Sequence, residues 1–278
     1  MPWFKADLHL HSCLSPCGSL ESSPATISTT AQKIGLDLIA LTDHNSTLNC
    51  PAFAENCRRI GISALFGMEA TTAEEAHCLC LFGDLEAAMA FGEMVFAQLN
   101  MVINDPEQWG DQIQVNADEE IEAEIETLLV SATTLSLEEL EQLSHAHGGL
   151  FIPAHVDRPA FSLMSQLGFV PPGNYDALEI CRPATNHHTV RLKPRLAAPD
   201  SPEWQARQPP PAAGHAGFAP EIGLPSLICN SDAHYLADIG SRHFRFWSET
   251  GNPDFAGLKN ALHKGWIQRE FAKPAIIL

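Results

Sequence analysis

From its first residues the chain alternates short apolar runs with segments whose apolar positions recur at helical spacing. Trp3 to His9 predicts a strand, Ser23 to Gly35 a helix with Pro24 at its first position, and Leu36 to Leu41 the next strand. A helix over Pro51 to Ile60, strands over Ile62 to Met68 and Ala76 to Phe82, and a helix over Leu85 to Leu99 continue the rhythm. Ser136 with Glu139 forms a capping box opening a helix that Gly148 ends, and Leu150 to Ala154 follows as a buried strand. Later strands are expected at Ala177 to Ile180, Leu227 to Asn230 and His243 to Trp247, with a closing helix over Pro253 to His263. This order predicts parallel β/α units and, with about seven parallel strands, an α/β barrel.

Two stretches interrupt the rhythm. Residues 100–134 are rich in acid, densest around Glu120 to Glu126, and are expected to be an inserted hairpin or solvated helix acting as a charged, exposed flap. Residues 193–225 are rich in Pro and Ala, including Pro209-Pro210-Pro211, and are expected to be a surface excursion or lid. A single domain over 1–278 is expected, because 278 residues with 45% hydrophobic content suit one barrel.

Charge and cysteine content narrow the function classes. Against 16 basic residues stand 34 acidic ones, a net charge of -18, which repels a phosphate backbone and disfavours long nucleic acid as a partner. The start lacks the basic and apolar regions of a signal peptide, and no apolar run approaches the roughly 20 residues of a membrane span, so a cytoplasmic protein is expected. The eight cysteines contain no C-x-x-C pair, which argues against a four-cysteine zinc knuckle and a disulfide framework. Oligomeric state leaves no signal in the pattern.

The chemistry lies at the strand ends. Strand alternation sends His9 and His11 to one side, where both can bind one ion. Asp43-His44 follows one predicted strand, Glu69 ends another, His77 opens the next, and His155 and Asp232-Ala233-His234 follow later ones. In a parallel barrel the carboxyl ends of the strands share the face where such folds carry out their chemistry. Asp7 and Asp43, beside these positions, are candidates to orient imidazoles. His145, His147, His215, His243 and His263 are left unassigned, and His187 and His188 lie close to Arg182 in sequence.

Four separated blocks, Asp7 to Ser12, Leu41 to Asn45, Gly67 to Ala70 and Asn230 to His234, resemble the PHP family, named for polymerase and histidinol phosphatase. The resemblance implies a distorted (β/α)7 TIM-like barrel holding two or three divalent metal ions, Zn, Fe or Mn. Carried over residue by residue, it implies that His9, His11, Glu69 and Asp232 hold a first ion. Glu69 would bridge to a second on His77 and His155, and a third would sit on His44 and His234. Where the family usually places His or Asp to complete that third site, this chain has Cys17, whose thiolate would make the site softer if it binds.

The implied reaction is attack on phosphorus by a metal-bound hydroxide, with no side-chain nucleophile. The chain accordingly shows no G-x-S-x-G elbow, Walker A loop or G-x-G-x-x-G turn. Arg158 and Arg182, just after predicted strands, are candidates to fork onto substrate phosphate. The leading expectation is a phosphomonoesterase acting on a small metabolite or nucleotide. The alternatives are a phosphodiesterase or exonuclease on short oligonucleotides and a metal-binding regulatory module without turnover.

Overall fold

A computed structural model of the chain describes residues 3–182 and 225–271. The 193–225 excursion, apart from Pro225, and His187, His188 and His215 lie outside the described residues. The elements are β1 (Trp3–Leu10), α1 (Pro24–Lys33), β2 (Leu38–Leu41), α2 (Cys50–Ile60), β3 (Ser63–Thr71), β4 (His77–Phe82) and α3 (Leu85–Phe96). They continue with α4 (Pro106–Trp109), β5 (Ile113–Val115), β6 (Ile121–Glu124), α5 (Leu137–Ala146), β7 (Leu150–Pro153), α6 (Leu163–Gln166) and β8 (Ala177–Glu179). Last come β9 (Ser226–Ile228), β10 (Arg242–Trp247), α7 (Phe255–Lys264) and β11 (Ile267–Phe271).

The described helices other than α2 begin where a short polar side chain accepts an orphan amide. Ser23, Asp84 and Asp254 accept from Thr26, Ala87 and Gly257, and Ser136 with Glu139 completes the expected capping box. Gly148, at φ +78°, ends the turn after α5 in a conformation that glycine adopts without penalty.

Seven strands form one curled sheet in the order β11-β10-β1-β2-β3-β4-β7. Strands β1, β2 and β3 are parallel, as expected, but β4 pairs antiparallel with β3 and with β7. The expectation of an all-parallel sheet fails here for a local reason. Only five residues, 72–76, separate β3 from β4, too few for a crossover, so the chain returns as a hairpin with Glu75 at φ +60°. Strands β10 and β11 are likewise antiparallel additions beside β1.

Backbone bonds continue the curl past β7: Asp176 N–H donates to Phe151, Val156 N–H to Glu179, and β8 pairs parallel with β9. Ala233 N–H donates to His9 and His11 N–H donates to Ala233, which brings the segment behind β9 back to β1. One core cluster includes Leu8, Leu38, Leu65, Leu79 and Ile152 from the strands and Leu258 and Leu262 from α7. Two further clusters pack α1 and α2, and α3 and α5, against other strand residues. Burial on both faces accounts for the near-continuous apolar runs in the sequence.

The acidic insertion contains the short helix α4 and the β5–β6 hairpin, the first of its two expected forms. It is more than an exposed flap. Buried Gln112 donates to Ile125 and Thr127 and accepts from Leu129 N–H, while Asn49 accepts from Val115 N–H and donates to Ile113. Asn45 donates to the carbonyls of Leu129 and Ser131. Asn45 and Asn49 thus fasten the stem to the loop after β2, and Gln112 ties the segment's own strands together. Among the described residues no helix is long and apolar enough to cross a membrane.

Away from those loops, Asp176 accepts from Phe151 N–H at 2.8 Å, His145 Nε2 at 3.0 Å and His263 Nε2 at 2.8 Å. Burial alone would raise this carboxyl, but the bonds from His145 and His263 outweigh it and hold Asp176 at about 2. The same bond raises His145 above its ordinary value. Asp176→Asn should therefore lose about 1–3 kcal/mol of stability in urea denaturation near pH 6. Because the folded pKa of Asp176 is depressed, the wild-type advantage is present above about pH 4 and is lost as pH falls towards 2. Because that of His145 is raised, its share is complete below about pH 6.5 and fades as pH rises through the raised value. A wild-type advantage that is flat across both limbs would remove this electrostatic account.

Candidate metal centre

The curl brings Glu69, at the end region of β3, under a ring of imidazoles. Its Oε1 lies 2.8 Å from His155 Nε2, 2.9 Å from His77 Nδ1 and 3.3 Å from His9 Nε2. Its Oε2 lies 3.2 Å from His44 Nδ1 and 3.4 Å from His11 Nε2. Asp232 Oδ1 stands 3.4 Å from His9 Nε2 and 3.6 Å from His11 Nε2. His77 joins this set from the amino end of β4 because the hairpin reverses that strand, so the antiparallel exception places it beside the carboxyl ends of the others.

Three groups of donor atoms lie within 4.8 Å of one another: His9, His11, Glu69 and Asp232; His44, Glu69 and His77; and His11, His44 and His234. The first is the set expected for one ion. The second adds His44 to Glu69 and His77, while His155 meets the same Glu69 oxygen directly. The third unites His44 and His234 through His11. Cys17 belongs to none of these groups among the described residues; it is exposed at the surface.

The site's charges follow from burial and crowding. Burial opposes ionisation of Glu69, yet His77, His9 and His44 outweigh it and hold the carboxyl well below its ordinary value. Burial likewise opposes a charge on His9, but Glu179, Glu69 and Asp232 lift it well above its ordinary value. His44 is driven well below its ordinary value by burial, with His11, His77 and His234 adding to the effect against Glu69. Burial and then His11 lower His234 to about 4. Neutral His44 and His234 keep a lone pair free for a cation.

Buried atoms without hydrogen-bond partners test whether metal suits this cavity. His9 Nε2, His11 Nε2, His44 Nδ1 and Asp232 Oδ1 are all buried and lack such a partner, and all face the Glu69 cluster. Leaving such atoms unpaired is costly, and a divalent ion is the partner that several nitrogen lone pairs and carboxylate oxygens can share. The residues present fit a multinuclear metal centre.

Supporting groups hold the donors in place. Glu179, fully buried at the end of β8, approaches His9 Nδ1 at 3.0 Å and accepts from His155 N–H and Asn230 Nδ2. An Nδ1–H directed at Glu179 leaves His9 Nε2 free to face the cluster. Glu179 is marked in the sequence only as an acidic residue embedded in the apolar run Ala177 to Ile180, which did not single it out. Asp43 acts on an imidazole only indirectly: it accepts from Ser15 Oγ, and Ser15 Oγ lies 3.0 Å from His11 Nδ1. Among the described residues Asp7 hydrogen-bonds to no imidazole. It accepts from Ser231 N–H and Gly240 N–H, and burial raises it to about 6. It thereby ties β1 to the segment carrying Asp232.

Non-glycine residues in the left-handed region gather here, among them Asn45, His155, Phe161 and Asp232. Such strain persists where surrounding bonds over-determine the backbone. Of the two arginines, Arg158 places Nη1 2.6 Å from Asp232 Oδ2 with its side chain 44% exposed, at the mouth of the cluster. Arg182 is exposed, with its amide donating to Asp157. His145, His147, His243 and His263 bond elsewhere.

A family model described as the PHP domain matches residues 7–162, more than half of the chain. The chain belongs to the PHP family. Members of this family are metal-dependent hydrolases of phosphoester bonds. No curated protein matches the chain. Among solved structures, this PHP chain is similar to the lesion-specific endonuclease EndoQ of Pyrococcus furiosus, at 18% identity and TM-score 0.59, over 96% of this chain and 58% of that one. Endonuclease Q in complex with a 27-mer duplex substrate with an abasic lesion matches at 19% identity and TM-score 0.55, over 97% of this chain and 58% of that one. A candidate metal-dependent phosphoesterase from Bifidobacterium adolescentis matches at 17% identity and TM-score 0.51, over 94% of this chain and 96% of that one. These likenesses establish a shared fold, and the PHP chain spans 58% of the length of the two endonuclease chains.

If Glu179 orients His9, Glu179→Gln should weaken retention of the metal by about 10- to 100-fold in chelator competition. Unchanged retention, with metal content measured on the same sample, would show that the carboxylate has no such role.

Proposed function

We propose that this chain hydrolyses the phosphomonoester of a small metabolite or nucleotide at a centre of two or three divalent ions, Zn, Fe or Mn. The same reading takes residues 1–278 as one distorted (β/α)7 barrel domain. The observation that carries the proposal is the convergence of buried, partnerless donors from His9, His11, His44 and Asp232 on one carboxylate, Glu69. His77, His155 and His234 complete the ligand set, and Cys17 is kept as a further candidate for the third ion.

When bound, divalent ions supply Lewis acidity that lowers the pKa of water towards neutrality and neutralises phosphate oxygens. The chain's own residues do the rest. The two Glu69 oxygens face different rings, which suits a carboxylate shared between two ions. Glu179 fixes the proton on His9 Nδ1, and Arg158, with Arg182 in support, offers cationic donors to phosphate at the mouth. This reading needs no side-chain nucleophile.

A phosphodiesterase reading is the second one, and the likeness in fold to endonuclease Q favours it. The net charge of -18 disfavours a long polyanion but does not decide the matter, because a structural neighbour is seen with a duplex substrate.

The test is metal-replete protein, its metal content measured, assayed on phosphorylated metabolites, nucleoside monophosphates, a short single strand and a duplex. Monoesters are expected to turn over fastest, and Glu69→Gln to lower kcat/KM by at least about 100-fold, the equivalent of several kcal/mol of metal-derived stabilisation. Faster cleavage of the strands would establish the diesterase reading, and hydrolysis of none would leave a metal-binding regulatory module.

Arg158→Lys keeps the charge and loses the fork. It is expected to raise KM by about 10-fold, the scale of one charge-assisted hydrogen bond. The melting temperature should stay within a few degrees of wild type, since the side chain is 44% exposed. Equal KM values would take Arg158 out of phosphate binding.

A further inference from the structure

Phe161 occupies a position that folding alone does not favour. Its backbone sits at φ +53°, a conformation that bulky side chains rarely adopt, and the residue is 47% exposed. Its carbonyl accepts His77 N–H at 3.0 Å, but glycine would present that carbonyl without the strain. The ring is what glycine lacks. It stacks on His77 with centroids 5.0 Å apart and planes 12° from parallel, while His77 Nδ1 lies 2.9 Å from Glu69.

The loop that carries the ring is fixed at both sides. Arg158 N–H donates to His155, buried Ser162 donates through Oγ to the Arg158 carbonyl, and Ser162 caps α6 with Ser165. Phe161 is therefore a fixed aromatic surface one ring beyond the metal donors, on the same loop as Arg158. A phosphate held at the cluster and a planar ring one sugar away from it would meet both features together. Stacking on an aromatic side chain binds any nucleobase, because every base has a π face.

Resting on the phosphoesterase reading of this centre, the geometry points to Phe161 as a stacking platform that selects a substrate carrying a nucleobase next to its scissile phosphate. Aliphatic and bare sugar phosphates lack the planar group and gain nothing from it. The ring is a specificity determinant, and the chemistry remains with the metal donors.

The experiment compares binding of adenosine 5′-monophosphate and ribose 5-phosphate to metal-replete protein by calorimetry, with turnover of each followed in parallel. The wild type is expected to bind the nucleotide at least about 5-fold more tightly, the lower range of base stacking on an aromatic side chain. Phe161→Leu should close that gap, and Phe161→Trp should keep it. Phe161→Gly, which removes the ring and relieves the backbone, should also close it and serves as the variant of choice if the leucine form folds poorly. No preference in the wild type, failure to bind either ligand, or a preference that survives loss of the ring would each overturn the platform. Hydrolysis without nucleotide preference would leave the phosphoesterase reading intact, whereas nucleotide preference without hydrolysis of either ligand would remove the monoesterase reading and leave the platform standing.

Discussion

One buried carboxylate surrounded by five imidazoles is the constraint around which this molecule is arranged. A lone carboxylate taken out of water at Glu69 would be prohibitively unfavourable, and a lone imidazolium in the same place hardly less so. The fold keeps both by supplying each as the other's neighbour, with His9, His11, His44, His77 and His155 all within 3.4 Å of a Glu69 oxygen. The arrangement still leaves nitrogen and oxygen atoms facing each other without hydrogen-bond partners. That shortfall in an otherwise bonded interior is the physical signature of a cavity shaped for cations.

Keeping so many donors at one rim requires a stiff surround. Glu179 joins His9, His155 and Asn230, and so links β8 to three other chain segments at one carboxylate. Asp43 gathers Ser12 and Ser15, and Ser15 in turn meets His11. The strained backbone at His155 and Asp232 is held by such bonds, which is how a residue can occupy a disfavoured conformation without relaxing out of it.

Much of this was legible beforehand, because strand-end ligands are local in sequence and each block carries its own signal. His9, His11, His44, His77, His155, Asp232 and His234 come together around Glu69. Strand direction was harder to read. An apolar run such as Cys78 to Phe82 looks the same whichever way it points, and only the brevity of the 72–76 turn told that β4 returns. Glu179 was missed because one acid in an apolar run has no periodic partner to mark it. Asp7, a candidate to orient an imidazole, holds backbone amides, a distinction between neighbours in space that adjacency in sequence cannot make. The acid-rich insertion showed its charges plainly, while the amides that anchor it are separated from their partners by up to 86 residues.

That anchoring divides the insertion into two parts with different freedoms. Its outer turn meets α2, where Asn56 and Arg59 donate to the Ala117 carbonyl, and Ser23, which donates to Glu119, whereas Glu122 and Glu124 beyond it are exposed, so drift in charge at those two acids would be tolerated. The stem is another matter, since Asn45, next to His44, and Asn49, further along, lie on the loop that brings His44 to the cluster. Lineages are thus free to vary the exposed acids while the two buried asparagines, hidden from any ligand, stay fixed as the grammar of the joint.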